Sequence, residues 1–228
     1  MNRIATIITI DGPAGSGKTS VAELLATELD WVFLNTGAMY RAATIAVIDA
    51  GVRMDPLDVP AAIAAVRASG LHLDDRGVVH LRSGDITARL SSDEVSKHVS
   101  AVSQIPEVRE LLTPMQREFG VRARPGVVAE GRDMASVVFP DAKHRFYLDA
   151  KLEERARRHL HRMTKKGMAP PTLDDAIRDI DVRDHKDSTR AVAPLKRAAG
   201  VCELDTTTWT LERTVREILD LVRVEGTP

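Results

Sequence analysis

Gly12-Pro13-Ala14-Gly15-Ser16-Gly17-Lys18-Thr19 matches G-x-x-x-x-G-K-[ST] at every required position, and each position has a physical job. Gly12, Gly15 and Gly17 admit backbone angles denied to residues with a Cβ, so successive N–H groups can curl around phosphate oxygens. A helix from Lys18 onward would aim unsatisfied N–H groups and its positive dipole end at the same anion. Lys18 adds a mobile positive charge for the β- and γ-phosphates, and the Thr19 hydroxyl is a natural Mg²⁺ ligand. The motif implies that a nucleoside triphosphate binds, and leaves open what is done with it.

Positioning that loop requires a strand before it and a helix after it. Ile7 to Ile10 is an apolar run, and Val21-Ala22-Glu23-Leu24-Leu25-Ala26 is apolar at helical spacing. Further on, Trp31-Val32-Phe33-Leu34 reads as a short strand, Asn35-Thr36-Gly37 as a turn, and Ala38 to Ile48 as a helix stopped by Gly51. Asp58 is placed to cap a helix over Val59 to Ala68. Between Gly70 and Leu90, strand-like pieces at Leu71 to Leu73, Val78 to Leu81 and Asp85 to Thr87 suggest a small antiparallel meander. Helices are expected from Ser92 to Ser103 and from Pro106 to Phe119, the second kinked or divided by Pro114. Val127-Val128-Ala129 is continuously apolar, as a buried parallel strand should be. His144 to Leu148 is the next strand, followed by an arginine-rich helix from Leu152 to Met163 and a loop from Lys165 to Pro171. A helix over Leu173 to Asp184, a last strand at Val201 to Leu204 and an amphipathic helix from Leu211 to Val222 complete the chain. Strands alternating with helices predict an α/β fold, a mainly parallel sheet with helices on both faces and ligands beyond the strands' carboxyl ends.

Composition narrows the function. A chain of 228 residues suggests one domain, and its net charge of −1 without a basic tail argues against a nucleic acid polymer or an anionic membrane as the main partner. The single cysteine, Cys202, fits a reducing compartment and reads as a small core residue. The first strand begins too near Met1 for a signal peptide, and no apolar run approaches membrane-spanning length, so a cytoplasmic protein is expected. The seven histidines are scattered without metal-ligand spacing.

The charged clusters fall after successive strands. Thr36 to Arg41 follows the second strand, Gly131-Arg132-Asp133 the one at Val127, and Arg183 to Arg190 lies between a helix and the last strand. Any one arginine could be a solvated surface residue. Together, at strand ends beside a phosphate loop, their guanidinium forks match a second phosphorylated ligand.

The phosphate loop, Thr36-Gly37-Ala38-Met39-Tyr40-Arg41, Gly131-Arg132-Asp133-Met134, Val137 to Ala142, and Arg183-Asp184 through Arg190 to Leu195 together closely resemble the bacterial cytidylate kinase family, over nearly the whole chain and including the insert. The resemblance implies a P-loop nucleoside monophosphate kinase fold: one domain over 1–228, with an acceptor-side insert at 58–98 and a lid at 155–190. It implies Mg²⁺-dependent transfer from ATP to CMP or dCMP by a monomer. Gly12 through Ser20, with Arg155, would hold ATP, and Thr19 would hold Mg²⁺. Thr36, Tyr40, Arg41, Arg132, Arg183 and Arg190 would hold the acceptor's phosphate or shape its pocket. Asp187 would take the ribose hydroxyls, and Ser100, Arg109 and Asp133 would face the base. Lys18, Arg132, Arg158 and Arg190 would be the catalytic groups.

Cytosine offers an exocyclic amine with N3 and O2 as acceptors, which a carboxylate at Asp133 and a guanidinium at Arg109 match. Uracil would set a carbonyl against Asp133, so CMP should be preferred to UMP. No general base is assigned, because the acceptor is already an anionic phosphate oxygen. Two positions depart from the family pattern: Asn35 stands where aspartate is common, and Ala135 where glycine is common, which would be strained if that position needs positive φ. Three rivals are separable. An acceptor screen distinguishes another small-molecule P-loop kinase, CMP-dependent turnover excludes a regulatory switch, and the balanced charge disfavours a nucleic-acid-dependent ATPase.

Overall fold

The computed structural model describes residues 6–165 and 167–224, so Lys166 of the expected lid loop lies outside the described residues. The apolar run forms β1 (Thr6–Asp11), with Ile8 and Ile10 fully buried. It is followed by α1 (Lys18–Leu29), β2 (Val32–Asn35), α2 (Thr36–Asp49) and α3 (Val59–Ala68). A two-stranded antiparallel ribbon, β3 (His72–Leu73) and β4 (Val79–His80), leads through α4 (Asp93–Gln104) and α5 (Pro106–Arg122) to β5 (Gly126–Gly131). The chain ends with β6 (His144–Asp149), α6 (Leu152–Lys165), α7 (Leu173–Thr189), β7 (Cys202–Asp205) and α8 (Leu211–Val224).

The main sheet has the order β2-β5-β1-β6-β7, and every pairing is parallel. Parallel strands need crossover helices, which cover both faces. On one face Met39 and Ile45 of α2, Val102 of α4 and Leu112 of α5 pack with Leu34, Val127 and Ala129. On the other, Val21 and Leu25 of α1 and Ile218 and Leu219 of α8 pack with Ile8, Ile10 and Leu148. A third, smaller cluster joins Ala14 of the loop to Ala156 of α6 and to Ala176 and Ile180 of α7. The register sets Asp11 beside Gly131 and Tyr147, and Asn35 beside Glu130, so the carboxyl ends of β1, β2, β5 and β6 open on one edge.

Asp58 and Ser92 cap α3 and α4, accepting from the N–H groups of Ala61 and Val95. Several expectations need correction. Asn35-Thr36-Gly37 is a helix start: Asn35 Oδ1 accepts from Ala38 N–H at 2.9 Å, and α2 begins at Thr36. This cap requires only a side-chain oxygen, which Asn and Asp supply equally. Asp85 to Thr87 is not a strand; the ribbon stops at β4, followed by an isolated bridge between Leu81 and Gly84. Pro114 does not divide α5, which runs unbroken through it. Helix α7 continues five residues past Asp184, so Asp187 joins Arg183 inside it. Cys202 is half-buried at the edge of a core cluster. Ala135 does not take positive φ; it sits in a buried turn of π-helix over Met134–Val138.

Candidate active site

The loop after β1 closes on α1 without a side-chain cap at Gly17, so the first N–H groups of that helix face the loop. Gly15 has φ of 76°, and a Cβ there would lie 2.6 Å from the Arg155 carbonyl oxygen, so backbone conformation and close approach both require glycine. Lys18 is buried and donates to the Pro13 carbonyl at 3.0 Å. Burial, and then the neighbouring Arg132, lower its pKa to about 7. Asp11, also buried, accepts from the N–H groups of Met134 at 2.9 Å and Ala135 at 2.8 Å, tying β1 to the turn after β5. Burial raises its pKa to about 6 against those two bonds.

Charged residues from the end of β5 and from α7 surround Lys18. Glu130, Arg132, Arg183 and Asp187 all act on its charge. Thr19 Oγ1 donates to Glu130 Oε1 at 3.1 Å, and Thr36 Oγ1 to the Glu130 carbonyl at 2.7 Å. Arg132 Nε donates to Asp187 Oδ2 at 2.9 Å, with those side chains 15% and 9% exposed. Burial and then Arg132 lower the Arg183 pKa to about 10, as expected when guanidinium groups crowd together without enough counter-charge. Arg41 donates to the Leu90 carbonyl at 2.8 Å and to Ser96 Oγ at 3.0 Å, and it senses Arg162, Arg132 and Glu130.

A second, drier group adjoins the first. Arg109 donates to Asp133 and to the Ser103 carbonyl, and its guanidinium carbon lies 5.1 Å from the centroid of the Tyr40 ring. Arg190 Nη2 lies 3.8 Å from Asp133 Oδ1 and, although buried, makes no hydrogen bond, while Arg190 Nε donates to the Ala193 carbonyl at 2.6 Å. Asp187 is the link between the groups, acting on both Lys18 and Arg190. Ser100 is less connected: its carbonyl accepts from Ser103 Oγ at 3.1 Å. Ser20 is exposed on α1.

From α6, Arg155 Nη1 donates to the Ala14 carbonyl at 2.9 Å, and Arg158 Nη1 to the Ser16 carbonyl at 3.3 Å. Arg158 also bonds Glu154 and Thr206. Both arginines are therefore already seated on the loop.

Four residues escaped the sequence reading. Glu130 is the first charged residue at the end of an apolar strand, Asp11 directly precedes the glycine loop, and Asp184 lies within the last charged cluster; position alone could have flagged all three. Arg162 carried a weaker signal: it lies seven residues after Arg155 and four after Arg158, on the same face of α6. Its charge is influenced by Glu130 and Arg132. Among the described residues no group of three or more His, Cys, Asp and Glu side chains is arranged to hold a metal.

A family model described as Cytidylate kinase matches residues 8–224. The chain is 40% identical over 219 residues to a cytidylate kinase of Bordetella bronchiseptica, with 96% of each chain covered. It is 40% identical over 220 residues to a cytidylate kinase of Nocardia farcinica, covering 95% of this chain and 93% of that one. A solved structure of an uncharacterized protein from Eubacterium ventriosum shares the fold at a TM-score of 0.50 and 10% identity, covering 96% of this chain and 98% of that one.

Proposed function

The chain belongs to the cytidylate kinase family and transfers a phosphoryl group from ATP to CMP, and from that premise we propose how its residues divide the work. The loop from Gly12 to Ser20 holds the triphosphate, with Arg155 bracing it. Lys18, Arg132, Arg158 and Arg190 stabilise the charge that develops during transfer. Thr36, Tyr40, Arg41, Arg183 and Arg190 form the acceptor side, Asp187 meets the ribose, and Arg109, Asp133 and Ser100 meet the base. Residues 58–98 form the acceptor-side insert, and residues 155–190 the lid, of one domain spanning 1–228.

The observation that carries this reading is the junction of the two groups of charges. The buried Arg109–Asp133 pair adjoins Arg190, whose Nη2 makes no hydrogen bond, and Asp187 links that group to Lys18, acting on both Arg190 and Lys18 while pairing with Arg132. A buried polar group of side chains thus adjoins a cationic one, which suits a base joined to a phosphate. Transfer needs no strong base, so alignment and charge stabilisation account for catalysis.

The donor set suits Mg²⁺: the Thr19 hydroxyl and the Glu130 carboxylate are hard oxygen groups already in hydrogen-bond contact, on the triphosphate side of the site. Mg²⁺ bound there would neutralise charge on the phosphates being separated. Glu130 then orients the Thr19 hydroxyl. We also read the enzyme as a cytoplasmic monomer that accepts dCMP as well as CMP. The single cysteine supports the compartment, and no described helix is long and apolar enough to cross a membrane.

A coupled ADP-release assay with CMP, dCMP, UMP and AMP, with and without Mg²⁺, tests the proposal. CMP and dCMP should turn over only with Mg²⁺, and UMP and AMP should do so far more slowly. Equal kcat/KM for UMP and CMP would overturn the base assignment.

A further inference from the structure

Asp184 closes a ring of hydrogen bonds around one residue of the phosphate loop. Its Oδ1 accepts from the Ala14 N–H at 2.9 Å, and its Oδ2 accepts from Arg155 Nη1. The same Arg155 nitrogen donates to the Ala14 carbonyl at 2.9 Å, while Arg155 Nε donates to the Ala150 carbonyl at 3.0 Å. Both polar groups of the Ala14 backbone are thereby held, one by α7 and one by α6. The Asp184 and Arg155 side chains are only 16% and 10% exposed, unlike the solvated Arg157–Glu153 pair on α6, at 60% and 56%.

Helix register explains why Asp184 reaches the loop. Ala176, Ile180 and Asp184 are spaced four residues apart and share one face of α7. Ala176 and Ile180 pack with Ala14 and Ala156, so Asp184 extends an apolar stripe already seated on the loop. Beside it lie the acceptor-facing residues. Arg183 precedes Asp184, and Asp187, three residues on, accepts from Arg132 while its carbonyl accepts from the Leu195 N–H at 2.8 Å. Three residues span about 4.5 Å of helix, too short for the two contacts to move independently while α7 stays helical.

A carboxylate beside a triphosphate loop is electrostatically unfavourable unless neutralised, and Arg155 does that here. A residue that served only to fill space would not need an acid paired in this way.

We propose that Asp184 is a positioning residue that couples the acceptor site to the phosphate loop, because one rigid helix carries Arg183 and Asp187 to the acceptor and Asp184 to the Ala14 N–H and Arg155. Occupying the acceptor site fixes α7, and α7 fixes the loop that the triphosphate meets. Linkage makes the effect reciprocal between the two ligands. The inference rests on the acceptor reading given above.

The test uses the full chain, wild type and with Asp184→Ala or Asp184→Asn. Titration calorimetry measures binding of Mg²⁺ with a non-hydrolysable ATP analogue, with and without saturating CMP, and binding of CMP alone. In the wild type CMP should tighten analogue binding about tenfold, within the usual range for coupled sites. Asp184→Ala should reduce that factor to below about twofold while CMP alone binds nearly as before. Asp184→Asn keeps an oxygen for the Ala14 N–H but loses the charge facing Arg155, so it should show an intermediate factor, and it decides the matter if the alanine variant does not fold. A wild type without coupling, or variants with full wild-type coupling, would overturn the proposal. A wild type that fails to bind CMP at all would overturn the acceptor reading itself, an outcome the CMP-only titration identifies separately.

Discussion

Arg109 and Asp133 form an ion pair between α5 and the turn after β5, with side chains only 4% and 3% exposed. Arg109 also donates to the Ser103 carbonyl at 3.2 Å and faces the Tyr40 ring, so its guanidinium has little freedom. A pair this dry brings uneven consequences: it adds modest stability while intact, but removing one partner strands the other charge.

Asp133→Asn should therefore alter both specificity and stability. If Asp133 accepts from cytosine's amine as proposed, an amide there removes that preference, so the CMP:UMP ratio of kcat/KM should fall by at least about tenfold. It also leaves Arg109 without its counter-charge, for which a loss of about 3–5 kcal/mol is expected from denaturant unfolding. An unchanged ratio would show that Asp133 does not face the base.

Lys18→Ala should act on the transition state. Its Nζ is held at the Pro13 carbonyl, ready for the triphosphate. Loss of such a group typically lowers kcat by about 10² to 10³, or roughly 3–4 kcal/mol. Steady-state kinetics and CMP titration should show a large fall in kcat with CMP affinity nearly intact; equal losses in both would mean that the lysine serves ground-state binding.

Lys18 also predicts a pH dependence. Burial, and then Arg132, lower its pKa in the free enzyme to about 7. A bound triphosphate favours the charged form and raises that pKa again. Above pH 7 the free lysine is mostly neutral and the bound one charged, so binding takes up a proton. At pH 8 the uptake should be roughly 0.9 proton, and affinity should fall by up to about tenfold per pH unit as pH rises above 7. Calorimetry in two buffers of different ionisation enthalpy reads the uptake directly; zero uptake would count against the lowered pKa.

Arg162 lies on the α6 face that carries Arg155 and Arg158, and its charge is felt at Arg41 and Arg183. The position four residues before it on α6 is Arg158, so no carboxylate stands there. Arg162→Gln should lower kcat by about tenfold, consistent with the loss of one charge-stabilising contact. Being exposed, the residue should leave the melting temperature nearly unchanged when replaced, and kcat equal to wild type would remove it from the site.

Some of this was legible from short stretches. The glycine loop is a local pattern whose spacing already encodes its backbone conformation, so Gly12 to Thr19 could be read without knowing the fold. The cap at Asp58 and the apolar run at Val127 were legible for the same reason: each depends on neighbours within a few residues. The end of α7 was not. His185 to Thr189 includes weak helix formers, and the helix persists there alongside the Leu195–Asp187 backbone bond and the Arg132–Asp187 pair. Tertiary contacts outweigh a difference of a few tenths of a kcal/mol per residue in propensity.

Sequence alone determined that the chain carries a triphosphate loop, that strands and helices alternate, and that arginines follow the strands. Only the tertiary structure decided which charges meet. Thr19 reaches Glu130 across 111 positions and Ala14 reaches Asp184 across 170. Those meetings depend on β5 lying between β1 and β2 and on α7 packing over the loop. Strand order and helix packing are set by burial of the whole core, and no local spacing of residues encodes them.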